Sequence, residues 1–105
     1  MIVSVEESSA RIPKKNRLYS NYPNPFNPST TIRYDLHQPA DVQIIVYDIL
    51  GQQVATLASG NQTAGYKSVH WNGLNESGNQ VSSGIYLCHL KTTDFTQTIR
   101  MVYLR

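Results

Sequence analysis

The sequence predicts an all-β fold, a small antiparallel sandwich of six or seven strands, from three observations. Val, Ile and Thr occur eight times each, whereas Ala, Glu and Lys together number twelve, so strand formers dominate the composition. Apolar runs of strand length recur at intervals of about 8–12 residues. Turn pairs that contain Gly, Asn or Ser separate these runs, which is typical of a sandwich.

The clearest strand covers residues 30–36, where Ile32, Tyr34 and Leu36 alternate with polar residues and define one apolar face. Residues 42–49 carry apolar side chains in both phases, which predicts a central strand covered on both faces. Further strands are predicted at residues 54–57, 66–71, 85–91 and 95–104. The turns between them lie at Leu50-Gly51, Ser59-Gly60-Asn61, Asn72-Gly73, Ser77-Gly78-Asn79, Ser83-Gly84 and Thr93-Asp94.

A helix is the alternative for residues 50–58. Leu50, Val54, Leu57 and Ala58 fall at positions i, i+4, i+7 and i+8, which suits one face of an amphipathic helix. Gly51 near the start and the β-branched residues within the stretch disfavour a helix. The strand is therefore the preferred interpretation.

The length of 105 residues suits one domain, preceded by a segment of different composition. Residues 1–17 mix charged side chains with Ser and Pro and predict a linker or tail, with an added edge strand at residues 2–5 as an option. Their net charge is +2, whereas residues 18–105 hold five basic and five acidic side chains. The body therefore lacks the clustered basic face that nucleic-acid binding requires.

Neither an internal disulfide nor a membrane span is expected. Cys88 is the only cysteine in the sequence. No apolar run approaches the roughly 18 residues of a membrane-spanning helix. The N-terminal residues also lack the apolar block of a signal peptide.

The sequence contains no recognisable catalytic site, so we expect neither enzymatic activity nor a cofactor. It has no nucleophile elbow, no HExxH motif and no glycine-rich phosphate loop. His70 and His89 could share a zinc ion if their strands paired, but a third ligand is not evident, and two solvent-facing histidines are preferred. Residues 72–78 resemble a calcium loop but offer a single carboxylate, so a hairpin connection is the preferred interpretation.

Several aromatic and sulfur-containing side chains are assigned by their phase. Cys88 and Trp71 each alternate with apolar neighbours and are predicted to lie in the core. Phe26 stands in a Pro-rich stretch that predicts a rigid entry to the first long strand, and its ring is expected to tuck under the sandwich. With Trp71 inside, Tyr47 and Tyr103 remain as candidates for stacking on a sugar.

Five segments of the sequence together resemble one protein family. They are LYSNYPNPFNPSTTI at residues 18–32, VYDILGQ at 46–52 with Val54 after it, WNG at 71–73, SGIY at 83–86 and RMVYLR at 100–105. In this order they resemble the type A C-terminal sorting domains of the type IX secretion system. His37, Asn72 and the Cys88-His89 pair depart from the family pattern. The middle of the chain is also similar to the immunoglobulin-like domain of the flagellar hook-capping protein.

The resemblance implies an immunoglobulin-like sandwich of about seven strands at residues 18–105, which serves as a C-terminal secretion signal. Residues 1–17 would then be the linker from a preceding cargo domain. The monomeric domain would be recognised in the periplasm and exported by the type IX outer-membrane translocon to the cell surface or beyond. A sortase-like protease is the second implied partner, through cleavage and surface anchoring. The implied recognition residues are Gly84, Tyr86, Arg100, Met101, Val102, Leu104 and Arg105.

The predicted last strand has a pattern that suits such a role. Its two faces carry alternate residues, namely Ile99, Met101 and Tyr103, and opposite them Arg100, Val102 and Leu104. A strand of this kind at a sheet edge can pair with the sheet of a partner, and Arg100 and Arg105 would discourage promiscuous pairing. Two alternatives remain: a carbohydrate-binding or surface-adhesion module of a secreted hydrolase, and a structural immunoglobulin-like spacer.

Overall fold

The structure is a computed structural model that describes residues 12–105 and contains seven β-strands in that range. The strands are β1 (Arg17–Leu18), β2 (Thr30–Leu36), β3 (Ala40–Asp48), β4 (Gln53–Gln62), β5 (Gly65–Trp71), β6 (Gly84–Lys91) and β7 (Thr96–Tyr103). One sheet has the order β1-β2-β5, and the other has the order β4-β3-β6-β7. All neighbouring strands are antiparallel, so the predicted all-β sandwich is confirmed.

The described residues contain no helix, and so none that is long and apolar enough to cross a membrane. The helical alternative for residues 50–58 is wrong, because this stretch is a turn followed by β4. The edge strand suggested at residues 2–5 lies outside the described residues. At the end of the predicted linker, Pro13 is buried and Arg17 pairs with Asp35 between β1 and β2.

The core lies between the inward faces of the two sheets. β2 has the predicted bounds, and its alternation buries Ile32 and Leu36 while Arg33 faces solvent. The other buried apolar side chains are Leu18, Phe26, Tyr34, Val42, Ile44, Val46, Val54, Ala55, Trp71, Tyr86, Cys88, Leu90, Met101 and Tyr103. Burial of each large apolar side chain contributes about 1.5–3 kcal/mol to folding, so this cluster supplies the main driving force.

Strand β3 is central in the four-stranded sheet, as its apolar run predicts. The expectation that both of its faces are covered is wrong, because Ile45 and Tyr47 on the outer face are only half-buried and the following Ile49 is 71% exposed. The strand pairs with β4 on one side and with β6 on the other, and Val46 stands opposite the fully buried Cys88. The register against β4 shifts between Ile44 and Ile45 and again between Val46 and Tyr47. Such bulges bend a strand and increase its twist.

The connection between β5 and β6 differs from the predicted hairpin, because these strands belong to different sheets. Residues 72–83 cross from one sheet to the other and contain a small turn of their own, with Leu74 bridged to Gln80. Asn75 stabilises this turn, since its Oδ1 accepts hydrogen bonds from the N–H groups of Ser77 and Asn79, each at 3.0 Å. A side-chain amide that caps backbone N–H groups in this way explains the turn without a bound cation.

The opening segment, residues 18–29, runs along one side of the sandwich from the first sheet to the second. Leu18 is clamped by Gln97, whose Oε1 accepts from the Leu18 N–H at 2.9 Å and whose Nε2 donates to the Leu18 carbonyl at 2.8 Å. Tyr22 then bridges to Thr31 of β2, and Phe26 reaches Tyr103 of β7. The peptide bonds before the three prolines of residues 23–28 are cis.

Candidate functional site

The end of β7 is paired with the opening segment of the same chain. The Phe26 N–H donates to the Val102 carbonyl at 2.9 Å, and the Leu104 N–H donates to the Phe26 carbonyl at 3.1 Å. The Val102 N–H donates to Oδ1 of Asn24 at 3.0 Å. We call these four residues, Asn24, Phe26, Val102 and Leu104, the terminal seam. The expectation of a free edge along the whole last strand is therefore wrong at its C-terminal end.

A shorter part of the β7 edge carries no strand partner among the described residues. The backbone groups of Val102 point away from β6, because they bond to residues of the opening segment. Backbone direction repeats every second residue, so the N–H and C=O groups of Thr98 and Arg100 point the same way. Both side chains are exposed. Among residues 12–105, the part of the β7 edge without a strand partner is thus residues 96–100, and the hydrogen bonds between Gln97 and Leu18 place β1 next to its start.

An aromatic cluster lies beneath the terminal seam. The Trp71 ring centroid is 5.2 Å from that of Tyr86 and 5.5 Å from that of Phe26, and the Phe26 and Tyr103 rings stack at 5.0 Å. The Trp71 Nε1–H donates to the Leu74 carbonyl at 2.9 Å, so the one polar atom of the indole is satisfied inside the core. The predictions that Trp71 and Phe26 lie inside are confirmed, whereas burial of Tyr103 excludes it as a sugar-stacking platform.

The residues implied for recognition divide into two groups by exposure. Tyr86 and Met101 are buried, and the Tyr86 hydroxyl donates to the Ser82 carbonyl at 2.7 Å. Desolvation by burial is the first cause that raises the pKa of Tyr86. A partner therefore cannot contact these two side chains directly, and they can affect recognition only by stabilising the fold. The surface group comprises Arg100, Leu104 and Arg105, which are exposed, and Gly84 and Val102, which are half-buried.

Arg105 and Tyr103 are joined by a network that the sequence did not indicate. The Arg105 N–H donates to Oγ of Ser83 at 2.8 Å, and its Nη2 donates to Oε1 of Gln80 at 3.0 Å. Gln80 in turn donates through Nε2 to the Tyr103 hydroxyl at 2.7 Å. We call residues 100–105 the terminal block. The side chain of Gln80, from the connection between β5 and β6, therefore contacts two of its residues, Tyr103 and Arg105. The hydrogen bond between Asn24 and Val102 was likewise not predicted from the sequence. The position of Asn24 between two prolines is the only local feature that marks this residue.

The outer face of the three-stranded sheet carries a second polar site around Tyr19. Its hydroxyl donates to Oδ2 of Asp35 at 2.5 Å, and this hydrogen bond is the first cause that raises the pKa of Tyr19. The guanidinium groups of Arg17 and Arg33 lie 4.5 and 4.9 Å from the centre of the ring. Each is a cation–π contact, so the ring is held by neighbours from β1 and β2.

Two shallow grooves share Arg33 on this face. One, of about 380 Å³, is lined by Tyr19, Asp35 and Tyr66 among others. The second, of about 280 Å³, is lined by Tyr22 and its neighbours. Tyr22 is 81% exposed and Tyr66 is 61% exposed, so two aromatic rings are open to solvent beside a guanidinium group.

The two histidines of the proposed zinc site lie on strands of different sheets. His70 is on β5 and hydrogen-bonds through Nδ1 to Oγ1 of Thr31 at 2.9 Å. His89 is on β6 in the other sheet and hydrogen-bonds through Nδ1 to Oγ1 of Thr98 at 2.7 Å. Shared zinc binding is therefore wrong. Within residues 12–105, no three His, Cys, Asp or Glu side chains are grouped to hold a metal.

The lone cysteine is a core residue, as its phase predicts. Cys88 is fully buried, and burial raises the pKa of its thiol to about 12. The nucleophilic form of cysteine is the thiolate, which is scarce at neutral pH when the pKa is this high. Cys88 therefore contributes packing rather than chemistry.

Two packed antiparallel sheets of this order define an immunoglobulin-like β-sandwich, with the opening segment shared between both sheets. The family model described as FlgD Ig-like domain matches residues 26–94. This match covers more than half of the sequence, so the chain belongs to the family of FlgD Ig-like domains. A search of curated proteins finds no match.

Two solved structures from Porphyromonas gingivalis have a similar fold. One is PorZ, described as an essential bacterial surface component of the type IX secretion system, with a TM-score of 0.56 and 22% identity. That alignment covers 86% of this chain and 11% of PorZ. The other is dimeric latent PorU, with a TM-score of 0.63, 16% identity, and coverage of 88% of this chain and 10% of PorU. The chain thus spans about a tenth of either protein, and the likeness is one of fold.

Proposed function

We propose that this chain is a C-terminal sorting domain, which directs a covalently attached cargo protein through the outer-membrane translocon of the type IX secretion system. One observation carries the proposal. The opening segment holds a highly specific motif of the family resemblance, and it meets the terminal block in the terminal seam, where Asn24 and Phe26 bond to Val102 and Leu104. Because the two segments are adjacent, one partner can contact both at a single recognition site.

The similar fold of PorZ supports a role in type IX secretion by analogy, since PorZ is described as a surface component of the type IX secretion system. In the proposed role the domain performs no catalysis. The cargo precedes it, the folded domain is bound in the periplasm, and export delivers the cargo to the cell surface or the medium. A sortase-like protease then removes the domain and joins the cargo to the surface.

The experiment is a fusion of residues 1–105 behind a periplasmic fluorescent protein, expressed in a host that is competent for type IX secretion. The proposal expects fluorescence at the surface or in the medium. A variant with Arg100→Glu and Arg105→Glu loses the exposed hydrogen bond from Arg105 Nη2 to Gln80. Its melting curve should nevertheless stay close to that of the wild type, because surface substitutions usually change stability by no more than about 0.5 kcal/mol. The variant should accumulate in the periplasm, since mismatched charge at a contact costs several kcal/mol.

The matched control reverses two other exposed cations, Lys14→Glu and Lys15→Glu, with the same change in net charge. Export of the control together with retention of the Arg100 and Arg105 variant would assign recognition to the terminal block. Retention of the wild-type fusion in the periplasm would refute the proposed function. Equal export of the wild-type, variant and control fusions would show that the terminal charges are not part of the recognised surface.

A second candidate function is favoured by the two grooves that share Arg33. Exposed aromatic rings beside polar and charged groups are common in sites that bind sugars, and Tyr22 and Tyr66 provide such rings here. A carbohydrate-binding or adhesion module would bind defined glycans on an array, and Tyr22→Ala with Tyr66→Ala would abolish that binding. An array without any specific signal would exclude this candidate.

A further inference from the structure

The outward face of the three-stranded sheet carries a polar site to which all three strands contribute. Along β2 the outward residues are Thr31, Arg33 and Asp35, because the residues between them face the core. Asp35 stands opposite Arg17 of β1 on one side and opposite Tyr66 of β5 on the other. The distance along β2 from Thr31 to Asp35 is about 13 Å, since each residue of a strand advances by about 3.3 Å. The site can therefore hold a ligand of more than one ring.

Two guanidinium groups of this site are held beside one aromatic ring. Arg17 and Arg33 lie 4.5 and 4.9 Å from the centre of the Tyr19 ring, and the Tyr19 N–H donates to the Arg33 carbonyl at 2.9 Å. In residues 12–105 no carboxylate forms a salt bridge with either guanidinium group. A guanidinium held in this way keeps its N–H donors for a ligand and loses little freedom on binding. The arrangement suits a carboxylate or phosphate group, which the guanidinium fork binds with two parallel hydrogen bonds.

A carboxylate at the same site restricts the ligand further. Asp35 is only 8% exposed although it lies on the outward face, and it lines the larger groove together with Arg33 and Tyr66. The Tyr19 hydroxyl donates to Oδ2 of Asp35, and a carboxylate offers about four acceptor positions, so it can accept further hydrogen bonds. An anion without hydrogen-bond donors would be repelled there. The ligand must therefore carry hydroxyl groups as well as an acid group.

Two phenol rings lie at either end of the site. Tyr66 lines the larger groove and Tyr22 lines the smaller one, while Arg33 lines both. Both rings are exposed, Tyr66 by 61% and Tyr22 by 81%. An exposed phenol ring offers an apolar face to the C–H groups of a sugar ring, and its hydroxyl can hydrogen-bond to the hydroxyl groups of the sugar.

We propose that this site binds an acidic oligosaccharide. Its carboxylate or phosphate group pairs with Arg33 and Arg17, its hydroxyl groups donate to Asp35, and its rings stack on Tyr22 and Tyr66. An acidic oligosaccharide supplies in one molecule the acid group, the hydroxyl donors and the apolar ring faces that the site requires. The inference goes beyond the proposed sorting function, and it rests on the second candidate function, whose ligand class it names.

Other polyanions fit the site less well. Residues 18–105 have no net charge, and nucleic-acid binding depends on neutralising many phosphates. An anionic lipid surface attracts clusters of about four to eight basic side chains, whereas the cations of this site are Arg17, Arg33 and Lys67. The buried Asp35 carboxylate also opposes a uniformly anionic surface.

The test is isothermal titration calorimetry of the purified chain with a galacturonate trisaccharide and with its methyl ester, which has the same rings but no charge. The proposal expects the free acid to bind at least tenfold more tightly than the ester at low ionic strength, and to lose this advantage in high salt. Arg33→Gln should abolish the difference between the two probes. The control Lys91→Gln removes an exposed cation from the other sheet and should change neither affinity by more than twofold.

Two more variants separate binding from folding and from positioning. Thermal unfolding verifies that each variant folds, and Arg17→Gln replaces Arg33→Gln if the latter does not. Tyr19→Leu keeps both arginines but removes the ring that holds them, so it should weaken binding of the free acid at least threefold and leave the affinity for the ester unchanged. Equal loss for both probes would contradict a positioning role for Tyr19.

A glycan array with uronate, sialylated and phosphorylated saccharides, each beside its neutral counterpart, covers acid groups other than galacturonate. Preference for acidic saccharides that depends on Arg33 would support the proposal. Equal binding of acidic and neutral saccharides would overturn the acidic class and leave the second candidate function standing, whereas no saccharide binding would overturn both. Tighter Arg33-dependent binding of oligothymidylate or of phosphatidylglycerol vesicles would overturn a saccharide ligand. None of these measurements involves export, so their outcome is separate from that of the fusion experiment.

Discussion

Substitution of Gly73 by Ala tests how closely the connection between β5 and β6 packs against the terminal block. Gly73 has a φ of +75°, and a Cβ atom there would lie 2.8 Å from Cζ and 3.0 Å from the hydroxyl oxygen of Tyr103. The Tyr103 ring cannot move aside easily, because it is fully buried, stacks on Phe26 and accepts a hydrogen bond from Gln80. Gly73→Ala must therefore strain the backbone and displace the ring.

The structure supplies a control that separates these two effects. Gly78 has a similar φ of +83°, but a Cβ atom there would meet no atom within 4 Å. Gly78→Ala should cost about 1–2 kcal/mol, the price of a left-handed backbone for a residue with a side chain. Gly73→Ala adds an overpacked contact worth about 1–3 kcal/mol, so its total should reach about 2–5 kcal/mol.

Urea unfolding followed by the fluorescence of Trp71 measures both losses of stability. A third variant closes the argument, since Tyr103→Leu removes the ring that the new methyl group would meet. In that background the cost of Gly73→Ala should fall to that of Gly78→Ala, as in a double-mutant cycle. Equal losses at positions 73 and 78 in the wild-type background would refute the close approach of Gly73 to Tyr103.

Three further predictions concern the core and the boundary. Trp71→Ala should lower the free energy of unfolding by about 3–5 kcal/mol, and wild-type Trp71 should emit at a blue-shifted wavelength; emission typical of indole in water would contradict its burial. Because burial raises the pKa of the Cys88 thiol to about 12 from a model value of 9.0, the folded state should lose stability as pH rises above 9. The loss from Cys88 should be about 2 kcal/mol between pH 8.5 and 10.5, measured as the difference between the pH profiles of wild type and Cys88→Ala. Trypsin should cut at the exposed Lys14 or Lys15 before Arg33, and an early cut at Arg33 would place the boundary elsewhere.

Local sequence patterns were sufficient to predict the bounds of a strand where the flanking residues cannot continue it. β2 has the bounds that its alternation predicts, since Pro28 precedes it and Pro39 follows it. β4 was predicted only at residues 54–57 but extends from Gln53 to Gln62. Its second half contains Ser59, Gly60 and Asn61, which have turn propensity, and pairing with β3 overrides that propensity.

In the candidate site too, local patterns predicted which side chains are buried but not which distant residues are in contact. Tyr86 shares its phase with the predicted core residue Cys88, and Met101 shares its phase with Tyr103; the structure buries all four side chains. The resemblance alone grouped Tyr86 and Met101 with the exposed Arg100 as recognition residues, because a family motif does not separate residues that a partner contacts from residues that shape the fold. The contact between Asn24 and Val102 has no local signal, since periodicity reports which face a residue occupies and not its distant neighbour.

The terminal seam joins residues that are 78 positions apart in the chain. The entropy of closing a loop grows with its length, and contacts of high sequence separation slow folding. We therefore expect the two segments to meet after the strands between them have assembled, with the seam among the last parts of the domain to form. A partner that binds across the terminal seam would bind only the fully folded domain. It would not bind a nascent or partly unfolded chain of identical sequence.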